Sequence, residues 1–136
     1  MAFLLDTNVI SELRKRKPDP RVDAWADRHA SDDFFISSLV IGEVRSGVER
    51  LRPRDPHRAA ALEKWLDGLP IAFRDRILPV TAEVAAEWGR LSARVGGPPV
   101  DCLMAATANV HRLTFATRNV ADVARTGVPV VNPFDG

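Results

Sequence analysis

Phe3-Leu4-Leu5 runs directly into Asp6-Thr7-Asn8, and this junction constrains the chain more than any other. A short apolar run reads as a buried strand, so Asp6 stands at the strand's carboxyl end. In open α/β sheets ligands bind just beyond that end, which puts an acid there within reach of a site without placing it in the core. The alternative is local: Asp6 or Thr7 caps a helix that begins near Asn8 and runs to Leu13. Partners elsewhere in the chain have to decide between the two.

The same strand-then-helix punctuation recurs. Phe34-Phe35-Ile36-Ser37 is a second strand, followed by a helix capped by Ser37 or Ser38 with Leu39, Val44, Val48 and Leu51 as its core face. Ile77-Leu78-Pro79-Val80 is a weaker third strand that Pro79 restricts to an edge or an end. Leu113 to Thr117 and Val128 to Pro133 supply a fourth and a fifth. Between them, Asp19-Pro20 opens a helix to about Ala30, and Asp55-Pro56 opens one continuing through Leu69. With the helix before it, that second one forms a hairpin over residues 38 to 69. Thr81 caps a helix carrying Val84, Trp88, Leu91 and Val95, and Gly96-Gly97-Pro98-Pro99 delivers the chain to a helix that is small or apolar nearly all round, with Cys102 as one of its core residues. Strands alternating with helices imply an α/β fold of three layers, α/β/α, around a central mostly parallel sheet of about five strands. A length of 136 residues suits a single domain over 1–136.

Composition excludes several classes of function. No apolar run approaches the ~20 residues of a membrane span, and no basic region precedes the first apolar run, so the expectation is a cytoplasmic protein that makes no use of a membrane. The lone Cys102 suits a reducing compartment. A net charge of +1 means that any nucleic-acid surface is local. The one dense cationic run is Arg14-Lys15-Arg16-Lys17, which is either a solvated helix end offsetting the carbonyl dipole or a contact to nucleic-acid phosphates.

Acidic and amide side chains recur where a parallel sheet brings strand ends together: Asp6 after the first strand, Glu43 on the helix after the second, Asp101 in the first turn of the buried helix, and Asn119 and Asp122 after the fourth strand. Each has a plain structural reading, since Glu is common on helix surfaces and an acid in a first turn complements the helix dipole. Crowded together, they would repel unless a cation neutralised them, and oxygen-only ligands suit Mg²⁺ or Mn²⁺ and not zinc.

Four segments, Leu4 to Ser11, Ile41-Gly42-Glu43-Val44, Val100 to Ala108 and Ala116-Thr117-Arg118-Asn119, together resemble the sequence blocks of the PIN-domain ribonucleases, and Val131-Asn132-Pro133-Phe134 is similar to the end of the VapC-like and FitB-like bacterial toxins. The resemblance implies a Mg²⁺-dependent endoribonuclease, Mn²⁺ substituting, that acts as the toxin of a type II toxin–antitoxin pair, with RNA as substrate, a cognate antitoxin as partner and a homodimer as the assembly. Carried over by position, Asp6, Glu43 and Asp101 are the catalytic, metal-binding acids. Thr7 and Asn119 would hydrogen-bond the ligands. Many relatives have an acid where this chain has Asn119, a departure for which Asp122, three residues on, compensates. Two rivals remain: a non-catalytic RNA-binding or scaffold module of PIN shape, favoured by Asn119, and a phospho-acceptor receiver domain, which needs a lysine near the end of the chain whereas the only lysines are Lys15, Lys17 and Lys64.

Overall fold

The computed structural model describes residues 1–135. β1 (Phe3–Leu5) is apolar on both faces, as a strand covered on both sides must be, and it is the central strand of a five-stranded sheet. It pairs with β2 (Phe34–Ser37), Phe3 beside Phe34, and with β4 (Thr114–Ala116), Leu5 beside Ala116. β3 (Ile77–Leu78) lies outside β2 and β5 (Val130–Val131) outside β4, all pairings being parallel. The order β3-β2-β1-β4-β5 differs from the 2-1-3-4-5 order of the flavodoxin-like folds to which receiver domains belong, and that removes the receiver reading.

Strand order also dictates the layers. The crossovers from β1 to β2 to β3 travel one way along the sheet and those from β3 to β4 to β5 travel the other way, so right-handed connections place the two sets of helices on opposite faces. The first set is α1 (Thr7–Leu13), α2 (Pro20–Asp27), α3 (Ser38–Leu51) and α4 (Pro56–Phe73). The second is α5 (Ala82–Val95), α6 (Pro99–His111) and the single turn α7 (Val120–Val123). Leu4, Leu5, Ile36, Val40, Val48, Met104, Ala105 and Phe115 form the centre of the core, and Cys102 is buried with them.

The elements depart from their expected bounds for identifiable reasons. α2 ends at Asp27 instead of near Ala30, because His29 leaves the helix to pack its ring 4.6 Å from Phe3 and 5.2 Å from Trp25. α4 passes through Pro70 to Phe73, a proline in the last turn costing one backbone bond and not a whole helix. It ends at Arg74, a non-glycine residue with φ of +47°, a sparsely populated conformation. The corner is held by Arg76, whose guanidinium donates to the carbonyls of Ser31, Phe34 and Ala72. β5 shrinks to two residues because Pro133 opens a 3₁₀ turn over Pro133–Asp135. The α3–α4 hairpin is tied by Glu63, which accepts from Arg45 at 2.6 Å and Arg52 at 3.1 Å.

The sheet reverses its winding between β1 and β4. Outside the carboxyl ends of those two strands there is a crevice that helices cannot cover, and this is where open α/β sheets bind ligands.

Candidate active site

At that crevice Asp6 caps a helix with one carboxylate oxygen and accepts from other side chains with the second. As N-cap of α1 its Oδ1 accepts the Thr7 backbone N–H at 2.7 Å. Its Oδ2 accepts the Thr117 hydroxyl at 2.7 Å and the Asn8 amide at 3.3 Å. Only 4% of Asp6 is exposed. Burial is the dominant influence on its carboxyl and raises its pKa, and the Glu43 charge raises it further, while the donors from Thr117, Thr7 and Asn8 oppose the shift without cancelling it.

Glu43 is one helix away. Ser37 ends β2 and caps α3 by accepting the Leu39 N–H at 3.0 Å, which sets the phase of the helix so that Glu43, in its second turn, faces α1. There the Thr7 hydroxyl donates to Glu43 Oε1 at 2.6 Å. Thr7 therefore couples two acids: its backbone holds Asp6 and its side chain holds Glu43.

Asp101 arrives from the opposite layer. Gly96 and Gly97, with φ of +64° and +93°, make the turn that only glycine adopts freely, and Pro99 starts α6 with Asp101 in its first turn. The carboxyl is half-buried, and its pKa is pushed up to about 6, first by desolvation and then by the charges of Asp6, Asp122 and Glu43. Asp6, Asp122 and Glu43 thus all lie within electrostatic reach of Asp101. Asp122, exposed on α7, is among them. Asn119 is exposed at the N-cap of α7 and its side chain makes no capping bond, while its backbone N–H donates to Thr117 Oγ1 at 3.0 Å.

Two further residues of the corner, Thr117 and Asn8, lie inside the segments that resemble the family blocks, but the sequence assigns them no role. Thr117 is fully buried and bridges Asp6 and Asn119. Asn8 joins Asp6 to the Arg118 backbone N–H, which it accepts at 3.2 Å. Conversely, the cationic run lies beyond the C-terminal end of α1, whose seven residues separate Arg14 from Asp6 by about 10 Å. All four cations are exposed; Arg14 lies over Trp65 at 5.5 Å and Lys15 pairs with Glu12 at 2.9 Å.

Among the described residues no three His, Cys, Asp or Glu side chains close into a ready-made metal cage. The donors present, Asp6, Glu43 and Asp101, are carboxylate oxygens, which would suit a hard divalent cation and not zinc. The pKa values of Asp6 and Asp101 are raised first by burial and then by neighbouring acids, and a bound cation would oppose both effects.

The chain is 37% identical to Toxin FitB of Neisseria gonorrhoeae over 97% of its own length and 98% of that protein's. It is 32% identical to VapC ribonuclease Y4jK of Sinorhizobium fredii over 98% of both. Among solved structures it superposes on FitAcB from Neisseria gonorrhoeae with a TM-score of 0.85 and 35% identity, covering 97% of this chain and 98% of the other. A toxin–antitoxin complex from Klebsiella pneumoniae follows at a TM-score of 0.70 and 25% identity, covering 98% of both chains. The crevice between β1 and β4 and the four carboxylates around it all fall within the segment, residues 3–127, that matches the PIN domain model, and the chain belongs to the PIN-domain family.

Proposed function

We propose that this protein is a Mg²⁺-dependent endoribonuclease acting as the toxin of a type II toxin–antitoxin pair. The observation that carries the reading is the gathering of Asp6, Glu43, Asp101 and Asp122 at the winding reversal of the sheet, in a chain whose relatives are named a toxin and a VapC ribonuclease. Asp6 and Asp101 hold the ion, with Mn²⁺ as a substitute, and Asp122 supplies the charge that Asn119 lacks. When bound, the ion supplies positive charge that polarises the scissile phosphoryl group. Glu43 takes the proton of the attacking water. Its Oε1 is already engaged by the Thr7 hydroxyl, which leaves Oε2 to receive that proton. Thr7 and Thr117 fix the orientations of Glu43 and Asp6, and Asn119 offers an amide at the rim.

The proposal includes a homodimer and a cognate antitoxin. An apolar groove of about 240 Å³ between α1 and α4, lined by Ile10, Leu13, Trp65, Leu69 and Phe73, is suited to an amphipathic helix of such a partner. No helix among the described residues is long and apolar enough to cross a membrane.

Purified protein is expected to cut a fluorogenic single-stranded RNA in Mg²⁺ or Mn²⁺ and to stop in EDTA. Binding of RNA without cleavage in either metal would replace the nuclease by a scaffold module. Asp122→Ala is expected to weaken Mg²⁺ binding roughly ten-fold in a calorimetric titration; an unchanged isotherm would remove Asp122 from the site.

A further inference from the structure

We propose that Arg118 grips a phosphate of the RNA backbone and so seats the substrate against the carboxylates. The inference deepens the nuclease reading and rests on it. A corner of four carboxylates repels a polyanion, and a cation at its rim, beyond any bound ion, would favour productive binding. The Arg14 to Lys17 run lies at the far end of α1. Arg118 instead directly follows Thr117, the residue that donates to Asp6, and its own N–H is tied to Asn8, the second donor to Asp6.

Its side chain is held as well as its backbone. The guanidinium lies 4.5 Å over the ring of Phe134, which is itself buried and whose N–H is anchored on Asn132 Oδ1 at 3.0 Å. Arg21, Arg45, Arg52 and Arg90 pair with carboxylates, and Arg76 and Arg94 donate to carbonyls, whereas Arg54, Arg58 and Arg125 are exposed without such a partner among the described residues; Arg118 differs from these in being tied by its backbone to a donor of Asp6. The Arg118 guanidinium has no carboxylate or carbonyl partner among the described residues, although the residue is exposed. The group is packed over an aromatic ring and its N–H donors have no partner among the described residues. That is the preorganised fork that matches two non-bridging phosphate oxygens, a geometry that lysine cannot reproduce.

The test compares wild type with Arg118→Gln and Arg118→Lys. With a fluorogenic RNA, Arg118→Gln is expected to raise KM about ten-fold with kcat little changed. The salt dependence of log(kcat/KM) should become shallower by about 0.7 for the one phosphate no longer neutralised, and Arg118→Lys should restore the slope while recovering KM only in part. If Arg118 is merely a clasp on Phe134, Arg118→Gln lowers the melting temperature and leaves KM and slope unchanged, which overturns the proposal. Fluorescence anisotropy of single-stranded RNA with Ca²⁺ replacing Mg²⁺ separates this inference from the nuclease reading. Weaker binding by Arg118→Gln supports the phosphate grip even if wild type fails to cleave, whereas equal binding by both proteins overturns it.

Discussion

Asp101→Asn is expected to abolish RNA cleavage while making the metal-free protein more stable. Loss of a carboxylate that holds the catalytic ion removes several kcal/mol of transition-state stabilisation, on the order of a 10³-fold fall in rate or more. The effect on stability follows from the pKa. The Asp101 carboxyl stands at about 6 in the fold against an ordinary 3.8. Between those pH values the folded state holds more protons than the unfolded one, so stability falls as pH rises through the window and stays lower above it. Asparagine carries no charge to strand there. Discounted for partial exposure, the gain is about 1 kcal/mol at pH 7.5 and vanishes below pH ~4, where the wild-type carboxyl is protonated in both states. Thermal melts at the two pH values without metal, with cleavage assays beside them, check both halves. Added Mg²⁺ should raise the wild-type melting temperature and leave the variant's nearly unchanged. A variant that cleaves at the wild-type rate, or that melts lower at pH 7.5, would refute the assignment.

Thr117→Val has the opposite sign. The substitution conserves shape and removes the hydroxyl that donates to Asp6 Oδ2 at 2.7 Å inside the protein, leaving a buried carboxylate short of a partner. Such a bond to a charged group contributes about 1.5–3 kcal/mol, and urea denaturation at pH 7.5 should show a loss of that size. With this donor gone, the already raised pKa of Asp6 moves up further. The loss therefore shrinks as pH falls and Asp6 takes up its proton, and more metal is needed for activity at neutral pH. Thr117→Ser keeps the hydroxyl and should retain most of both properties. Equal stability of Thr117→Val and wild type at pH 7.5 would mean that the bridge contributes nothing.

The contrast between these two residues shows what can be read from the chain. Asp101 is legible because a glycine–proline turn and a buried helix leave an acid at the mouth of the core. Asp6 is legible as a strand-end acid, and capping does not exclude a site role, because one oxygen caps α1 while the other accepts from Thr117. Thr117 is not legible: a threonine that ends a strand is ordinary, and its partner lies 111 positions away. Charge density points to Arg14–Lys17, yet the isolated Arg118 stands nearer the acids, and what marks it is a phenylalanine supplied by the chain's last turn. Alternation of strands and helices yields the class and layers, but not the order of strands, which depends on crossover direction and not on local pattern. Helix ends slip where tertiary contacts override local signals, at His29 in one direction and at Pro70 in the other.

The double use of Asp6 bears on how such a chain can lose its toxicity. A host under selection to silence the nuclease has several acids to strike. A change at Asp6 also removes the cap of α1 and the tie between β1 and β4, producing a damaged fold open to proteolysis and poorly able to engage an antitoxin. On the proposed assignment, a change at Asp101 would silence the same chemistry while relieving repulsion in the fold. Silent descendants that persist as folded, partner-binding proteins are thus channelled through Asp101, while those struck at Asp6 disappear as protein altogether.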